Sequence, residues 1–156
     1  MGAAPYTTSA WGQDGEKKPR RGISRHPSPH RAADHLTEVV RFYRDVLGLE
    51  QISSFEGHAG YDGVLLALPG RHDHLEFTHH ESGSQCPTPT KDNLIVFYVE
   101  DDAAFREMAA RLKRDGHEPV EPVNPYWAKN GLTFEDPDVW RVVLMHTAKI
   151  EGSSAL

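Results

Sequence analysis

The chain has 156 residues, 38% hydrophobic and 26% charged, with a formal net charge of -6. That is length enough for one domain with a real core, and the acidic balance repels a phosphate backbone, so nucleic acid is not an expected partner. The sequence has no apolar run long enough to cross a bilayer, so no membrane association is expected.

Residues 1–23 lack apolar periodicity and carry the basic run Lys17-Lys18-Pro19-Arg20-Arg21 without the continuous apolar centre of a secretory signal. They read as a solvated N-terminal tail. A first strand is expected over Ser24 to Arg31. Leu36, Val39, Val40, Tyr43, Val46 and Leu47 then form one apolar stripe at helical spacing, with Asp34 as the expected N-cap and Gly48 as the stop. Strands follow at Glu50 to Gly57, Gly63 to Leu68 and His74 to His80. Cys86 is the only cysteine, so no internal disulfide can form; it lies in a loop-like stretch, and a reducing cytoplasm suits it. Leu94 to Val99 opens a second set of elements. Phe105, Met108, Ala109 and Leu112 stripe a second helix, capped by Asp101 or Asp102 and ended by Gly116. Strands are expected at Glu118 to Val123, Leu132 to Glu135 and Arg141 to His146.

The two sets match. Gly48, Gly63 and Pro69 recur as Gly116, Gly131 and Pro137, each 68 positions later. With one gap after the prolines, Leu75-Glu76-Phe77 aligns with Val142-Val143-Leu144. The chain is therefore a duplication, and the predicted fold class is α+β: two tandem β-α-β-β-β modules forming an incomplete barrel around a cavity. Module one spans residues 24–80, a linker 81–91, module two 92–148, and a C-terminal tail 149–156.

Three segments carry a family resemblance. Phe42-Tyr43-Arg44-Asp45-Val46-Leu47-Gly48-Leu49, then His74-Leu75-Glu76-Phe77, then Phe134-Glu135-Asp136-Pro137-Asp138 with Trp140-Arg141 resemble motifs of the vicinal oxygen chelate superfamily. That superfamily includes glyoxalase I, extradiol dioxygenases and the bleomycin- and fosfomycin-resistance proteins. The resemblance covers residues 24–148 and implies the glyoxalase-like fold, but a fold that hosts lyases, isomerases, dioxygenases and binding proteins does not name a reaction.

The metal-dependent members draw one ligand from the first and last strand of each module. Carried over, these positions fall on Ser28, Glu76, near Leu94, and on Val143; of these, Glu76 alone is a suitable donor. His26 and His30 share the parity of Ser28, and His74 that of Glu76, so an irregular site of Glu76 with His74, His26 or His30 is the alternative. Its metal would be Fe, Zn, Ni or Mn. The expectation is no metal cofactor.

Alternation along the fourth strand turns Leu75 and Phe77 toward a helix and His74, Glu76 and Thr78 toward the cavity. Glu76 then meets a metal, a ligand, or an internal cation such as Arg31 or Arg141. Asn124-Pro125-Tyr126-Trp127 puts adjacent aromatics in a loop, with Tyr61 in the matching region of the first half. They either close the barrel end or stack on a ligand. The candidate ligand-binding residues are Tyr61, Asn124, Tyr126, Trp127 and Arg141; the candidate catalytic residues are Glu76 and His74, through acid–base work. The sequence reading is a metal-free small-molecule-binding protein resembling drug-sequestering resistance proteins. Its rivals are a metal-dependent lyase, isomerase or dioxygenase and a cofactor-free acid–base enzyme. The family resemblance also implies a homodimer.

Overall fold

A stripe of large apolar residues organises the first half. In the computed structural model, which describes residues 29–70, 73–83 and 90–147, β1 (His30–Ala32) leads into α1 (Leu36–Arg41), which continues as a π-helical turn over Phe42–Val46. The wider turn carries Phe42 and its neighbour Tyr43 inward together, and both are fully buried. The sequence stripe included Tyr43 but not Phe42. Gly48 ends the helical run at φ +88°, a conformation that favours glycine.

β2 (Gln51–His58), β3 (Tyr61–Ala67) and β4 (His74–His80) complete the first sheet in the order β1-β4-β3-β2. β1 runs parallel to β4, and the other pairs are antiparallel. The second half repeats the plan with β5 (Leu94–Val99), α2 (Asp102–Arg114), the short α3 (Tyr126–Lys129), β6 (Gly131–Glu135) and β7 (Arg141–His146), in sheet order β5-β7-β6. Asp101 caps α2 by accepting a hydrogen bond from the Ala104 amide at 2.7 Å. The tail, the start of the first strand with His26 and Ser28, and Cys86 lie outside the described residues. None of the described helices is long and apolar enough to cross a membrane.

Two expectations need correction. Glu118 to Val123 is not a strand: one bridge, Val120 to Thr133, is all that pairs with β6. Pro119, Pro122 and Pro125 recur every third residue and remove the amide donors a ladder needs. Nor does Asp34 cap α1. His35 occupies the N-cap without a side-chain bond, and the open amides are met from the other half. Asp138 accepts hydrogen bonds from the Asp34 amide at 2.9 Å and the His35 amide at 3.1 Å.

That contact belongs to a buried clasp between the halves. Arg31 (7% exposed) donates to the fully buried Asp136 carboxylate and, at 3.2 Å, to Asp138. The Tyr43 hydroxyl donates to Asp136 at 3.0 Å, and the Asp138 and Trp140 amides satisfy its other oxygen. The Arg31 guanidinium lies over the Trp140 ring, 4.7 Å from its centroid. Burial, followed by the Asp136 charge, pushes the Tyr43 hydroxyl well above its ordinary pKa, which keeps it a donor. One core joins Val39, Phe42, Tyr43 and Phe77 to Leu112, Phe134, Val142 and Leu144.

The repeated glycines are both forced by close approach. A Cβ on Gly63 would stand 2.3 Å from the tip of the Phe55 ring; on Gly131 it would stand 2.6 Å from the Trp127 carbonyl oxygen and 3.1 Å from that of Leu144. A half-buried ring can swing away, whereas backbone cannot. Gly131→Ala should therefore cost about 2–3 kcal/mol by urea unfolding and Gly63→Ala about 1 kcal/mol; the opposite order would contradict this packing.

The clasp also sets a pH dependence. The hydrogen bond to Asp138 and then its charge hold the His35 ring above its ordinary pKa of 6.5. Burial pushes the Asp138 carboxyl up, but His35 and the two amides outweigh it and leave it below the ordinary 3.8. Stabilisation from His35 is thus complete below about pH 6.5 and lost as pH rises through its raised value. That from Asp138 is present above about pH 4 and lost as pH falls through its lowered value. Asp138→Ala should forfeit the cap, about 1 kcal/mol, with the largest penalty between about pH 4 and 6.5. A penalty constant from acid to alkaline pH in urea titrations would refute the coupling.

Candidate functional site

Each sheet packs one face against its helix and turns the other away. Leu75 and Phe77 are buried in the helix-side core, so Glu76 and Thr78 belong to the opposite face, with His74. Strand register arranges that face in rows. Ala32, Thr78, Gly63 and Phe55 stand side by side; His30, Glu76, Leu65 and Ser53 form the next row; His74 and Ala67 begin a third. His30 is hydrogen-bonded through Nε2 to the Thr78 hydroxyl at 2.8 Å, and Thr78 is buried. The Phe55 ring lies over the bare backbone of Gly63.

Glu76 is half-buried between His30 and Leu65. Among the described residues its carboxylate has no hydrogen-bond or ion-pair partner. Neither cation considered for it is available. Arg31 points to the helix side and is held in the clasp, and Arg141 binds Glu135 at 3.2 Å and the Glu121 carbonyl at 3.0 Å.

The same rows in the second sheet are chemically different. They read Tyr98, Met145, Gly131; then Val96, Val143, Thr133; then Leu94, Arg141, Glu135. Glu76 pairs with Leu65 and Val143 with Thr133, and those partners keep the 68-position offset of the glycines. Val143 therefore occupies the place of Glu76, Val96 that of His30, and Arg141 that of His74. Val143 is fully buried and Met145 nearly so. The Thr133 hydroxyl is buried and has no hydrogen-bond partner among the described residues.

This donor set does not fit a four-ligand metal centre. Val96 and Val143 have no lone pair to give, so among the described residues His30, Glu76 and His74 of the first sheet are the donors left. Among the described residues, no three His, Cys, Asp or Glu side chains are grouped to hold an ion.

The remaining candidates lie elsewhere on the chain. Tyr61, 44% exposed, begins β3 and meets the His80 ring edge-on at 4.5 Å, at the far end of β4 from His74. Asn124 accepts a hydrogen bond from the Tyr126 amide at 3.0 Å, which starts α3. Tyr126, 51% exposed, meets the Trp127 ring edge-on at 5.0 Å. The Trp127 carbonyl lies against Gly131, beside Met145 and Tyr98 in the next strands. A groove of about 290 Å³ between α1 and β2–β3, lined by Leu36, Val40, Arg44, Gln51, Ser54 and Val64, opens on the helix side and contains none of these candidates. Sequence reasoning missed Phe55 and the His30–Thr78 bond. The spacing of Phe55 and Gly63 around a turn was the available signal for the first.

Comparison with known proteins places this geometry. Residues 30–78 match the YycE-like N-terminal domain family and residues 92–146 the YycE-like C-terminal domain family. The chain is 45% identical over 122 residues to the uncharacterized protein YycE of Bacillus subtilis, covering 78% of this chain and 88% of that one. A crystal structure of a YycE protein of unknown function from Bacillus subtilis superposes with a TM-score of 0.75 at 43% identity, over 81% of this chain and 93% of that one. Two more distant structures share the fold: the Leishmania major trypanothione-dependent glyoxalase I (TM-score 0.62, 17% identity, 80% and 87% covered) and the fosfomycin resistance protein FosX of Mesorhizobium loti (TM-score 0.61, 17% identity, 84% and 95% covered). The two matched domains and the close relative identify the chain as a member of the YycE-like family, within the vicinal oxygen chelate superfamily.

Proposed function

We propose that this protein binds a small molecule against the helix-free faces of its sheets and does so without the superfamily's metal centre. The observation that carries the reading is the contrast between the rows: a carboxylate beside His30 and Thr78 in one module, hydrocarbon at Val96 and Val143 in the other. A polar wall and an apolar wall suit a ligand with one hydrogen-bonding group on an apolar body. In this reading Glu76 is the polar anchor, His74 and His30 are its neighbours, and Tyr126 and Trp127 flank the Gly131 end. Arg141, tied to Glu135, frames the third row. Tyr98, 61% exposed next to Val96, is the surface a second copy would cover in a homodimer. A cytoplasmic setting is part of the same reading.

A second reading has one specific observation in its favour. Glu76 is a carboxylate without a partner among the described residues, in the same row as the hydrogen-bonded His30, and such a group can accept a proton from a bound substrate. The glyoxalase I and FosX neighbours share the fold at 17% identity, which does not select between binding and turnover.

A panel of aromatic and alicyclic compounds, followed by protein-observed NMR, tests the binding reading. At least one compound should bind saturably, and Glu76→Gln should weaken it by about tenfold or more (about 1.4 kcal/mol) with the unfolding midpoint unchanged. Saturable binding that ignores Glu76, Val96 and Val143 altogether would count decisively against this face.

A further inference from the structure

We infer that the ligand held at Glu76 is an organic cation, a protonated amine carried on an apolar body; the inference rests on the binding reading above and names its chemical class. A half-buried carboxylate loses hydration, and that loss is recovered only by a donor or a counter-charge. Among the described residues, the arginines near the first sheet are committed elsewhere. Arg31 serves Asp136 and Asp138 across the clasp, Arg44 binds Asp45 and Gln51, and Arg141 binds Glu135. His30 spends its Nε2 on Thr78 and makes no ion pair with Glu76. The charge is thus left to water or to an outside group that displaces it.

The neighbours of Glu76 define the rest of that group. Leu65 and the Phe55 ring over Gly63 are the apolar surface on one side, and in the other module the half-buried Val96, backed by the fully buried Val143, is the hydrocarbon counterpart. An ammonium satisfies the carboxylate with a charge-assisted hydrogen bond, while an aliphatic or aromatic body covers the hydrocarbon. An anionic ligand would meet Glu76 with like charge. The net charge of -6 also favours the approach of cations over anions.

Three matched probes test this on the full chain by NMR titration near neutral pH: 2-phenylethylamine, its neutral analogue 2-phenylethanol, and the anion of 3-phenylpropanoic acid. The amine should bind saturably and at least about tenfold more tightly than the alcohol, with shifts at Glu76 and His30, and the acid should not saturate. Glu76→Gln should bring the amine down to the alcohol, and Glu76→Asp, which keeps the charge, should retain the preference for the amine. If the alcohol binds at this face as well as the amine does, the cation inference is overturned while the binding reading stands. Saturable binding of none of the three would overturn the inference and also weigh against the binding reading. If Glu76→Gln unfolds, the N-acetyl derivative of the amine replaces that variant. Weaker binding of the uncharged derivative to wild-type protein supports the inference, and binding equal to that of the amine overturns it.

Discussion

The buried carboxylate of Asp136 is the contact on which the arrangement of the two halves depends. It sits in the turn between β6 and β7, yet its side-chain partners, Arg31 and Tyr43, come from the first strand and first helix of the other half. Two residues on, Asp138 closes the open amides at the start of α1. A charge without solvent around it must be paired and fully hydrogen-bonded, and each Asp136 oxygen has its donors. Geometry this demanding leaves little freedom in how the second module docks on the first. The shared apolar core supplies attraction, and the clasp supplies the register.

Duplication then gives two sheets with the same rows and different chemistry. The glycines at 63 and 131 remain glycine because something lies over each of them, a ring in one copy and a carbonyl in the other. Such positions constrain the fold, and they are alike. The positions facing away from the helices carry no such obligation. There the first copy keeps His30, Glu76 and Thr78, while the second has Val96, Val143 and Met145. A face that differs between copies within a frame that does not is what one expects of a scaffold whose function lives in a few side chains.

Much of the frame was legible in the sequence, because it rests on local rules. Helical periodicity located α1 and α2, glycine with positive φ ended both, and the matched breakers exposed the duplication. Alternation along β4 sorted Leu75 and Phe77 from Glu76 correctly, since period two is a property of any strand. What escaped notice depends on distant pairing. Asp34 looked like a cap, but an aspartate more than a hundred residues away takes that place. Arg31 and Arg141 looked like partners for Glu76, but each found a carboxylate on another element. Glu118 to Val123 read as a strand, while its prolines had already removed the amides required to make one. Phe55 was not legible from turn spacing alone, because the register shift between Phe55 and His58 decides which residue faces Gly63.

The helix-free faces carry Glu76 in one module and hydrocarbon at the equivalent Val143 and at Val96 in the other, which is not a four-ligand metal set. Calorimetric titration of chelator-stripped, tag-free protein with Zn²⁺, Ni²⁺, Mn²⁺ and Fe²⁺ in turn tests it most directly. Only weak binding is expected, the same in wild type and in Glu76→Gln. One equivalent of any of these ions bound tightly by the wild type, and lost in Glu76→Gln, would contradict it.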